Sequence, residues 1–577
     1  MKKIIYISFI VTFLSGSCND VLDVAPQGAL DFSALSNEDG IFGLLVAAYS
    51  ALDGKVADNE VTGRAWRSAA SNWVYGDVAS DDAYKGTDFG DQLPINDIER
   101  LEPNAANEYF NTKWRVVYDG ISRSNDVLRA LAITEGLDAG FVTTVTAEVR
   151  FLRGWYHLEA KKMWNMVPYI DEAVEDFNRA NDQDIWPDIE ADLEFAVANL
   201  PVVQDQVGRA TRGAAQAVLA KAHMFQEDFA AAKPLIDDLI ANPMYQLLDN
   251  YGALFRAATD NNTEAIFTVQ NSVNDGAADG DGSINGNIGN VLNFPHSGSP
   301  FGCCGFHQPS FNLVNAFQTD GTGLPLIDNF NDQDVTNDMG VATTAPFSEH
   351  TGPLDPRLDF TVGRRGIPYL GWGDHEGQSW IRDQAFGGPY SPKKQVFSAE
   401  ESGTASSTSG WTSNTTAINQ PLIRLADVIL WRAEIYVEDG QLDMARQLVN
   451  QIRARARDSA PVTESNGNTP AANYAIDEYP ASHPAFASEE EAKKAVRFER
   501  RLELAMEGHR YFDLVRWGIA EEVMNRFFME ESVADKKPFY VGAKFTPNKN
   551  EYYPIPLNQI VDSSVGGNPT LIQNPGY

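Results

Sequence analysis

The sequence predicts a mainly α fold, in which helix pairs of the tetratricopeptide kind stack into a superhelix that carries long loop-rich insertions and a few short strands. Apolar residues recur at helical spacing in a scaffold of about residues 31–240 and 421–530. Short polar turns join several of these helices, so that neighbours should lie antiparallel. No 34-residue repeat is visible, and the prediction therefore rests on helix length and turn spacing.

Helix ends can be placed from local signals. A hairpin in the second helical part is predicted to turn at Gly440. A later helix should begin at a capping box formed by Ser488 and Glu491 and run through to Trp517. In the first part, the predicted helices cover residues 106–132, 143–164, 185–200, 210–225 and 229–240.

Residues 241–420 differ from the helical parts in composition. Glycine, proline, asparagine and aspartate are frequent, and residues 275–290 and 402–410 are loops by composition. Short strand-like pieces such as EAIFTVQ lie between them. Long loops within a compact protein usually carry function, so we expect the ligand site here. The tail, residues 531–577, is proline-rich and should be extended.

The N-terminus predicts a bacterial lipoprotein signal over residues 1–17. Two lysines precede an apolar run that is too short to span a bilayer comfortably, and small residues then lead to Cys18. Several acyl chains on Cys18 would give a stable anchor, followed by a tether over residues 18–30. The alternative is a plain signal peptide with an incidental cysteine.

The charge is strongly acidic, with 45 basic and 80 acidic residues and a formal net charge of -35. Such a field repels polyanions, which argues against nucleic acid as a partner and favours a neutral or cationic ligand. A solvated acidic surface that only aids solubility explains the charge equally well. A local basic patch at Arg364 and Arg365 would override the global field.

The other two cysteines, Cys303 and Cys304, are adjacent. Because an exported protein meets an oxidising environment, we predict a vicinal disulfide that stiffens its loop into a flat apolar platform. Free thiols are the alternative. Zinc is poorly supported, since no second cysteine pair or histidine pair completes a tetrahedral set.

Glutamates at four-residue spacing mark the segment FERRLELAMEGHRYF. Glu499, Glu503 and Glu507 suit acid–base chemistry if they face solvent. We favour the structural interpretation, in which they pair with arginines and lock helices together, and in which Asp427 and Glu434 join the same network.

Recognisable catalytic and cofactor motifs are missing from the sequence. There is no GxSxG, no phosphate-binding glycine loop and no dinucleotide fingerprint. The histidines are scattered, and the acidic loop near Asp279 lacks the glycine and glutamate spacing of a calcium site. We therefore expect no metal, no cofactor and no catalysis, although the paired carboxylates of a glycosidase are not visible from spacing alone.

Aromatic residues in polar loops are the better lead to function. A flat ring stacks on the CH-rich face of a sugar, while amides and carboxylates bind its hydroxyls. The alternative is that these rings pin long loops to the body. The aromatics of the loop region are Tyr369, Trp372, Trp380, Tyr390 and Trp411. The predicted ligand-binding residues are Trp73, Asp82, Tyr369, Trp372 and Trp380.

Nine stretches resemble the SusD/RagB family of outer-membrane nutrient-binding lipoproteins of Bacteroidetes, in family order from end to end. They are CNDVLDVAPQG, AEVRFLRGWYHLEAKKMWNMVPYI, ADLEFAVANLP, GRATRGAAQAVLAKAHMF, PLIRLADVILWRAEIY, VNQIRARA, FERRLELAMEGHRYFDLVRWG, YYPIPLNQI and QNPGY.

The resemblance implies one SusD-like domain over residues 31–577, with four tetratricopeptide-like helix pairs. It implies a protein anchored through Cys18 at the cell surface of the outer membrane. It also implies non-catalytic capture of oligosaccharides or polysaccharides by aromatics, and a SusC-like TonB-dependent transporter as the partner. Peptide cargo on the same scaffold, as in RagB-like members, is the first alternative, and a glycoside hydrolase is the second.

Overall fold

The computed structural model describes residues 35–55, 64–279, 282–296 and 298–577. The predicted signal peptide, Cys18 and the tether lie outside these residues. The α-helices of the described part are, in chain order, α1 (Glu38–Ser50), α2 (Leu93–Glu99), α3 (Glu108–Ile133), α4 (Ala139–Trp164), α5 (Trp186–Asn199), α6 (Arg212–Phe225), α7 (Phe229–Ala241), α8 (Phe311–Ala316), α9 (Leu358–Thr361), α10 (Gln384–Gly387), α11 (Leu425–Glu438), α12 (Leu442–Asp458), α13 (Glu489–Leu504), α14 (Arg510–Arg516), α15 (Ala520–Glu531) and α16 (Leu557–Asp562).

The long helices pack in the order in which they follow along the chain. Helix α3 packs on α4, α4 on α5, α5 on α6 and α6 on α7. Helix α7 then packs on α11, which joins the two helical parts across the loop-rich insertion, and α11 packs on α12 and α13. This arrangement confirms the predicted mainly α fold of stacked helix pairs with loop insertions. Among the described residues, no helix is long and apolar enough to cross a bilayer.

Helix starts follow from capping side chains. Asp138 accepts a hydrogen bond from the Phe141 amide at 3.0 Å, which begins α4 four residues before the predicted start at Thr143. Ser488 accepts from the Glu491 amide at 3.3 Å, so that α13 begins where the capping box predicts.

The predicted helix from residue 488 to Trp517 is wrong in its middle, because α13 ends at Leu504 and α14 begins only at Arg510. Met506 and Gly508 take left-handed backbone angles, with φ of 64° and 79°. A Cβ atom on Gly508 would lie 1.8 Å from the Ser71 carbonyl oxygen, so only glycine permits this close approach.

Eight short strands form four two-stranded antiparallel pairs in the described residues. The pair that positions the site is β1 with β5, in which Gly86 lies opposite Phe306. The predicted strand EAIFTVQ is confirmed as β2, which pairs with β8. The strands are β1 (Ala83–Gly86), β2 (Ala265–Val269), β3 (Ala278–Asp279), β4 (Gly282–Ser283), β5 (Phe306–Pro309), β6 (Val362–Gly363), β7 (Ser391–Pro392) and β8 (Gln420–Arg424).

A buried network of ion pairs, here called the ion-pair core, ties the insertion to the second helical part. Glu503 is fully buried and contacts Arg424 at 2.6 Å, Arg357 at 3.1 Å and also Arg455. Burial alone would raise the pKa of Glu503, but these three guanidinium groups hold it below its usual value. The network comprises Glu264, Asp355, Glu499, Glu503, Glu507, Arg357, Lys394, Arg424, Arg453 and Arg455.

These contacts confirm the structural interpretation of the glutamate-rich segment. Asp427 and Glu434 pair in the same way with Arg500 and Arg516 of α13 and α14. Because Glu503 faces three arginines, removing its carboxylate would leave the buried network with one uncompensated positive charge, which is the costly way to break such a network.

Candidate functional site

The candidate site lies at one end of the β1–β5 ribbon, where two loops leave the strands side by side. The Thr87 amide donates to the Gly305 carbonyl oxygen at 2.5 Å, directly beyond the Gly86–Phe306 pair. The loop after β1 and the loop before β5 therefore begin in contact. A Cβ atom on Gly305 would lie 3.1 Å from the His296 Cβ, which places His296 at the same corner.

A third segment joins this corner through backbone hydrogen bonds. The His296 amide donates to the Trp380 carbonyl oxygen at 2.8 Å, and the Gly298 amide donates to the Ser379 carbonyl oxygen at 2.9 Å. A fourth segment follows, because Asn414 Nδ2 donates to the Cys303 carbonyl oxygen at 2.6 Å. The loop face is defined as residues 87–91, 294–296, 298–305, 369–382 and 409–414.

Beneath the loop face lies a small apolar cluster of its own. Phe301 makes edge contacts with Trp372 at 5.5 Å and Phe397 at 5.2 Å between ring centroids. Such a cluster holds the loops in place without the help of regular secondary structure. Its buried members are Phe294, Phe301, Tyr369, Trp380, Val396, Phe397 and Ile418.

Three aromatic side chains of the loop face reach solvent. Trp372 is half-buried, and its Nε1 donates to the Phe397 carbonyl oxygen at 3.2 Å, which fixes the ring plane. Trp411 is 48% exposed and Phe89 is 55% exposed. Indole and phenyl rings held in these positions present apolar faces to a ligand.

Charged groups on either side of Phe89 in the chain form, with Arg382, what we call the Arg382 cluster. The Arg382 guanidinium contacts Asp88 at 2.8 Å and Asp91 at 2.7 Å, and it donates to Thr87 Oγ1 at 2.9 Å. Each of the three charged side chains is about one-third exposed. Partial burial and the nearby Arg382 lower the pKa of His296, which favours a neutral imidazole at pH 7.

The adjacent cysteines also belong to the loop face, where the structure joins Cys303 and Cys304 by a disulfide. Cys303 is half-buried and Cys304 is buried. The preceding Gly302 is exposed and has no neighbouring atom within 4 Å of the place of a Cβ. The disulfide therefore borders open space on one side and the packed loops on the other.

Two predicted ligand-binding residues lie away from solvent. Trp73 is fully buried, and its Nε1 donates to the Gly289 carbonyl oxygen at 3.2 Å. Asp82 is buried against Arg501 at 2.8 Å, and burial together with the neighbouring Asp81 raises its pKa to about 6. A ligand cannot reach either group in this conformation, so the expectation that they bind it directly does not fit their burial.

Tyr369 and Trp380 are likewise buried, and their rings meet edge to face at 5.4 Å. They fit the alternative interpretation, in which aromatics pin the loops. Of the five predicted residues, only Trp372 reaches solvent. Sequence reasoning missed Phe89 and the Arg382 cluster, although the segment GTDFGD carries the glycine and aspartate signal of an exposed loop.

The basic patch expected at Arg364 and Arg365 does not form. Arg364 is buried and pairs with Asp359 at 2.7 Å, while Arg365 donates to the carbonyl oxygens of Thr343 and Ala345. Among the described residues, no cluster of histidine, cysteine, aspartate and glutamate has the geometry to hold a metal ion.

The geometry therefore combines solvent-accessible rings with a partly exposed cluster of two aspartates and one arginine. Comparison with known proteins supplies the family. A profile of the SusD family matches residues 263–577, which is more than half of the chain. The chain belongs to the SusD family. A second profile, described as starch-binding and associating with the outer membrane, matches residues 44–224 of this SusD family member.

Individual relatives extend over most of the chain. SusD-like protein P25 of Formosa agariphila is 24% identical over 541 residues, covering 88% of this SusD family member and 89% of that protein. A solved laminarin-binding SusD-like protein aligns with a TM-score of 0.65 at 24% identity, covering 94% of this chain and all of that one. Surface glycan-binding protein A from Bacteroides thetaiotaomicron, solved with laminarihexaose, aligns with a TM-score of 0.62 at 20% identity over 93% of this chain and 99% of that one.

Proposed function

We propose that the protein binds oligosaccharides or polysaccharides at the cell surface, without cleaving them, and delivers them to a SusC-like TonB-dependent outer-membrane transporter. The observation that carries this proposal is the loop face, where Trp372, Trp411 and Phe89 reach solvent and the charged groups of the Arg382 cluster are partly exposed. Rings take the apolar faces of sugars, and carboxylates with a guanidinium take the hydroxyls.

The charge of the loop face favours a neutral glycan. Asp88 and Asp91 together outweigh the single positive charge of Arg382, and the whole chain carries a net charge of -35. A sulfated or uronic polymer would meet repulsion at this surface. Relatives that bind laminarin, itself a neutral glucan, support the same class of ligand.

Anchoring and delivery form the second half of the proposal. Lipidation at Cys18 would hold the protein at the outer membrane by several acyl chains. A protein tethered in this way raises the local concentration of glycan beside its transporter. Incorporation of labelled palmitate, lost in the Cys18→Ser variant, is the expected result, and equal labelling of both proteins would contradict the anchor.

Calorimetry with a panel of neutral and charged glycans tests the binding. Each stacked ring contributes about 1 kcal/mol, so that several contacts are needed for a micromolar Kd. We expect a neutral glycan to bind and the Trp372→Ala variant to bind it roughly fivefold more weakly. A wild-type protein that binds none of the panel would contradict the proposal.

The two alternatives can be separated from glycan capture in the same samples. A peptide-binding protein would release its glycan when peptides are added, whereas we expect no competition. A glycoside hydrolase would release shorter sugars during prolonged incubation, whereas we expect the glycan to be recovered intact.

A further inference from the structure

The Cys303–Cys304 pair lies between two residues that tie its loop to other parts of the loop face. On one side, the chain leads back to Phe301, whose ring contacts the half-buried Trp372 at 5.5 Å. On the other side, it leads to Gly305, whose carbonyl oxygen accepts from the Thr87 amide at 2.5 Å. The disulfide therefore lies along the chain between the aromatic part of the face and the Arg382 cluster.

The pair is held by a side chain of another loop, and the residue before it faces open space. Asn414 Nδ2 holds the Cys303 carbonyl oxygen at 2.6 Å, and Trp411, three residues earlier in the same loop, is exposed. Cys303 is half-buried, and a side chain at Gly302 would meet no atom within 4 Å. Two sulfur atoms held in a rigid loop form an apolar, polarisable surface without strong hydrogen-bonding groups.

From this placement we propose that the Cys303–Cys304 disulfide contacts the ligand directly, as an apolar plate against which one face of a neutral sugar ring packs. Trp372 and Trp411 then take neighbouring rings, while the Arg382 cluster binds hydroxyls at the edge. The inference rests on the proposed function, because it assigns a part to the disulfide within the same glycan site.

The contact can be tested on the wild-type sequence by measuring whether bound glycan protects the disulfide from reduction. The full chain is treated with a phosphine reductant, and new thiols are counted over time with and without a saturating glycan. Laminarihexaose is the first probe, followed by maltohexaose, xylohexaose and mannohexaose until one binds. We expect bound glycan to slow the appearance of the two thiols at least fivefold, and a non-binding hexaose to leave the rate unchanged.

A variant pair supplies a second measurement that keeps the disulfide intact. Gly302→Asn places a polar side chain in the open space beside the sulfurs, at a φ of 71° that asparagine tolerates. Gly340→Asn is the matched control, since Gly340 has a φ of 69° and is equally open but lies outside the loop face. We expect Gly302→Asn to weaken glycan binding at least fivefold and Gly340→Asn to leave it unchanged.

The outcomes separate this inference from the function on which it rests. Wild-type protein that binds no glycan overturns both. Wild-type protein that binds glycan, but whose disulfide is reduced at the same rate with ligand, overturns the role of the disulfide alone. The same conclusion follows if Gly302→Asn binds as tightly as the Gly340→Asn control, or if the untreated protein already shows two free thiols.

Discussion

The ion-pair core and the loop face both combine arginines with carboxylates, but they differ in their access to water. Glu503 and its three arginines are almost completely buried, whereas Arg382, Asp88 and Asp91 are each about one-third exposed. Buried charges are cut off from water and depend on the groups that the fold brings to them, so the first region is structural. Partly exposed charges can exchange water for a ligand, so the second region can bind one.

The same difference divides the aromatic residues. Trp73, Tyr369 and Trp380 are buried in packed surroundings, whereas Trp372, Trp411 and Phe89 keep a face toward solvent. Substitution in the first group should lower stability, and substitution in the second should lower affinity.

Glu503→Ala should give the largest loss of stability. The variant leaves Arg357, Arg424 and Arg455 without a shared carboxylate in the protein interior, which costs about 3–5 kcal/mol. Chemical denaturation measures the free energy of unfolding. Glu194→Ala, at an exposed position of α5, is the control and should change it by less than about 0.5 kcal/mol. Equal effects of the two variants would refute the stabilising role of the ion-pair core.

Trp73→Ala should also act on stability, with a loss of about 3 kcal/mol, because it opens a cavity in the core and leaves the Gly289 carbonyl oxygen without its donor. The protein that remains folded should bind glycan with less than a threefold change in Kd. A stable Trp73→Ala variant with strongly weakened binding would instead place Trp73 in the ligand site.

The Glu531→Gln variant tests a buried carboxylate at the end of α15, which contacts Tyr84 of the β1–β5 ribbon. Tyr84 donates to Glu531 Oε2 at 2.6 Å, and burial raises the pKa of Glu531 from 4.5 to about 7. Between pH 4.5 and 7 the unfolded chain releases this proton while the folded protein keeps it. The contribution of Glu531 to the free energy of unfolding of the wild-type protein therefore falls as the pH rises from 4.5 to about 7. Above that range the contribution is constant.

The glutamine variant lacks this titration. The free energy of unfolding of Glu531→Gln minus that of the wild type should increase by on the order of 2 kcal/mol between pH 5 and pH 8. Urea denaturation at both pH values measures it. Glu194→Gln, the same change of residue type at an exposed position of α5, is the matched control. A pH-independent effect of Glu531→Gln would contradict the raised pKa.

Trp411→Ala should have the smallest energetic effect and act on affinity alone. Loss of one stacked ring costs about 1 kcal/mol, or roughly a fivefold increase in Kd, with little change in the midpoint of unfolding. Phe177→Ala, an exposed aromatic outside the loop face, serves as the control and should bind like wild type. An unchanged Kd for Trp411→Ala would remove this ring from the site.

The sequence predicts the helical scaffold well because its signals are local. Apolar spacing and caps such as Ser488 fix the helices, and the four-residue spacing of Glu499 and Glu503 correctly indicates pairing with arginines. The end of α13 was missed because it depends on a long-range contact, the close approach of Gly508 to Ser71.

The candidate site was predicted only in part, for a physical reason. Aromatic composition marks the loop region, but it does not say which rings turn inward, since Tyr369 and Trp372 lie three residues apart and only Trp372 reaches solvent. The Arg382 cluster joins residues that are almost 300 positions apart in the chain. Such a cluster exists only after the β1–β5 ribbon has brought its segments together.

The most direct test is a crystal structure of the protein with the first glycan found to bind. We expect sugar rings on the loop face, in contact with Trp372 or Trp411 and with the Arg382 cluster, and an unchanged ion-pair core. Sugar bound instead in the groove of about 470 Å³ that Phe330, Phe498 and Arg526 line would contradict it.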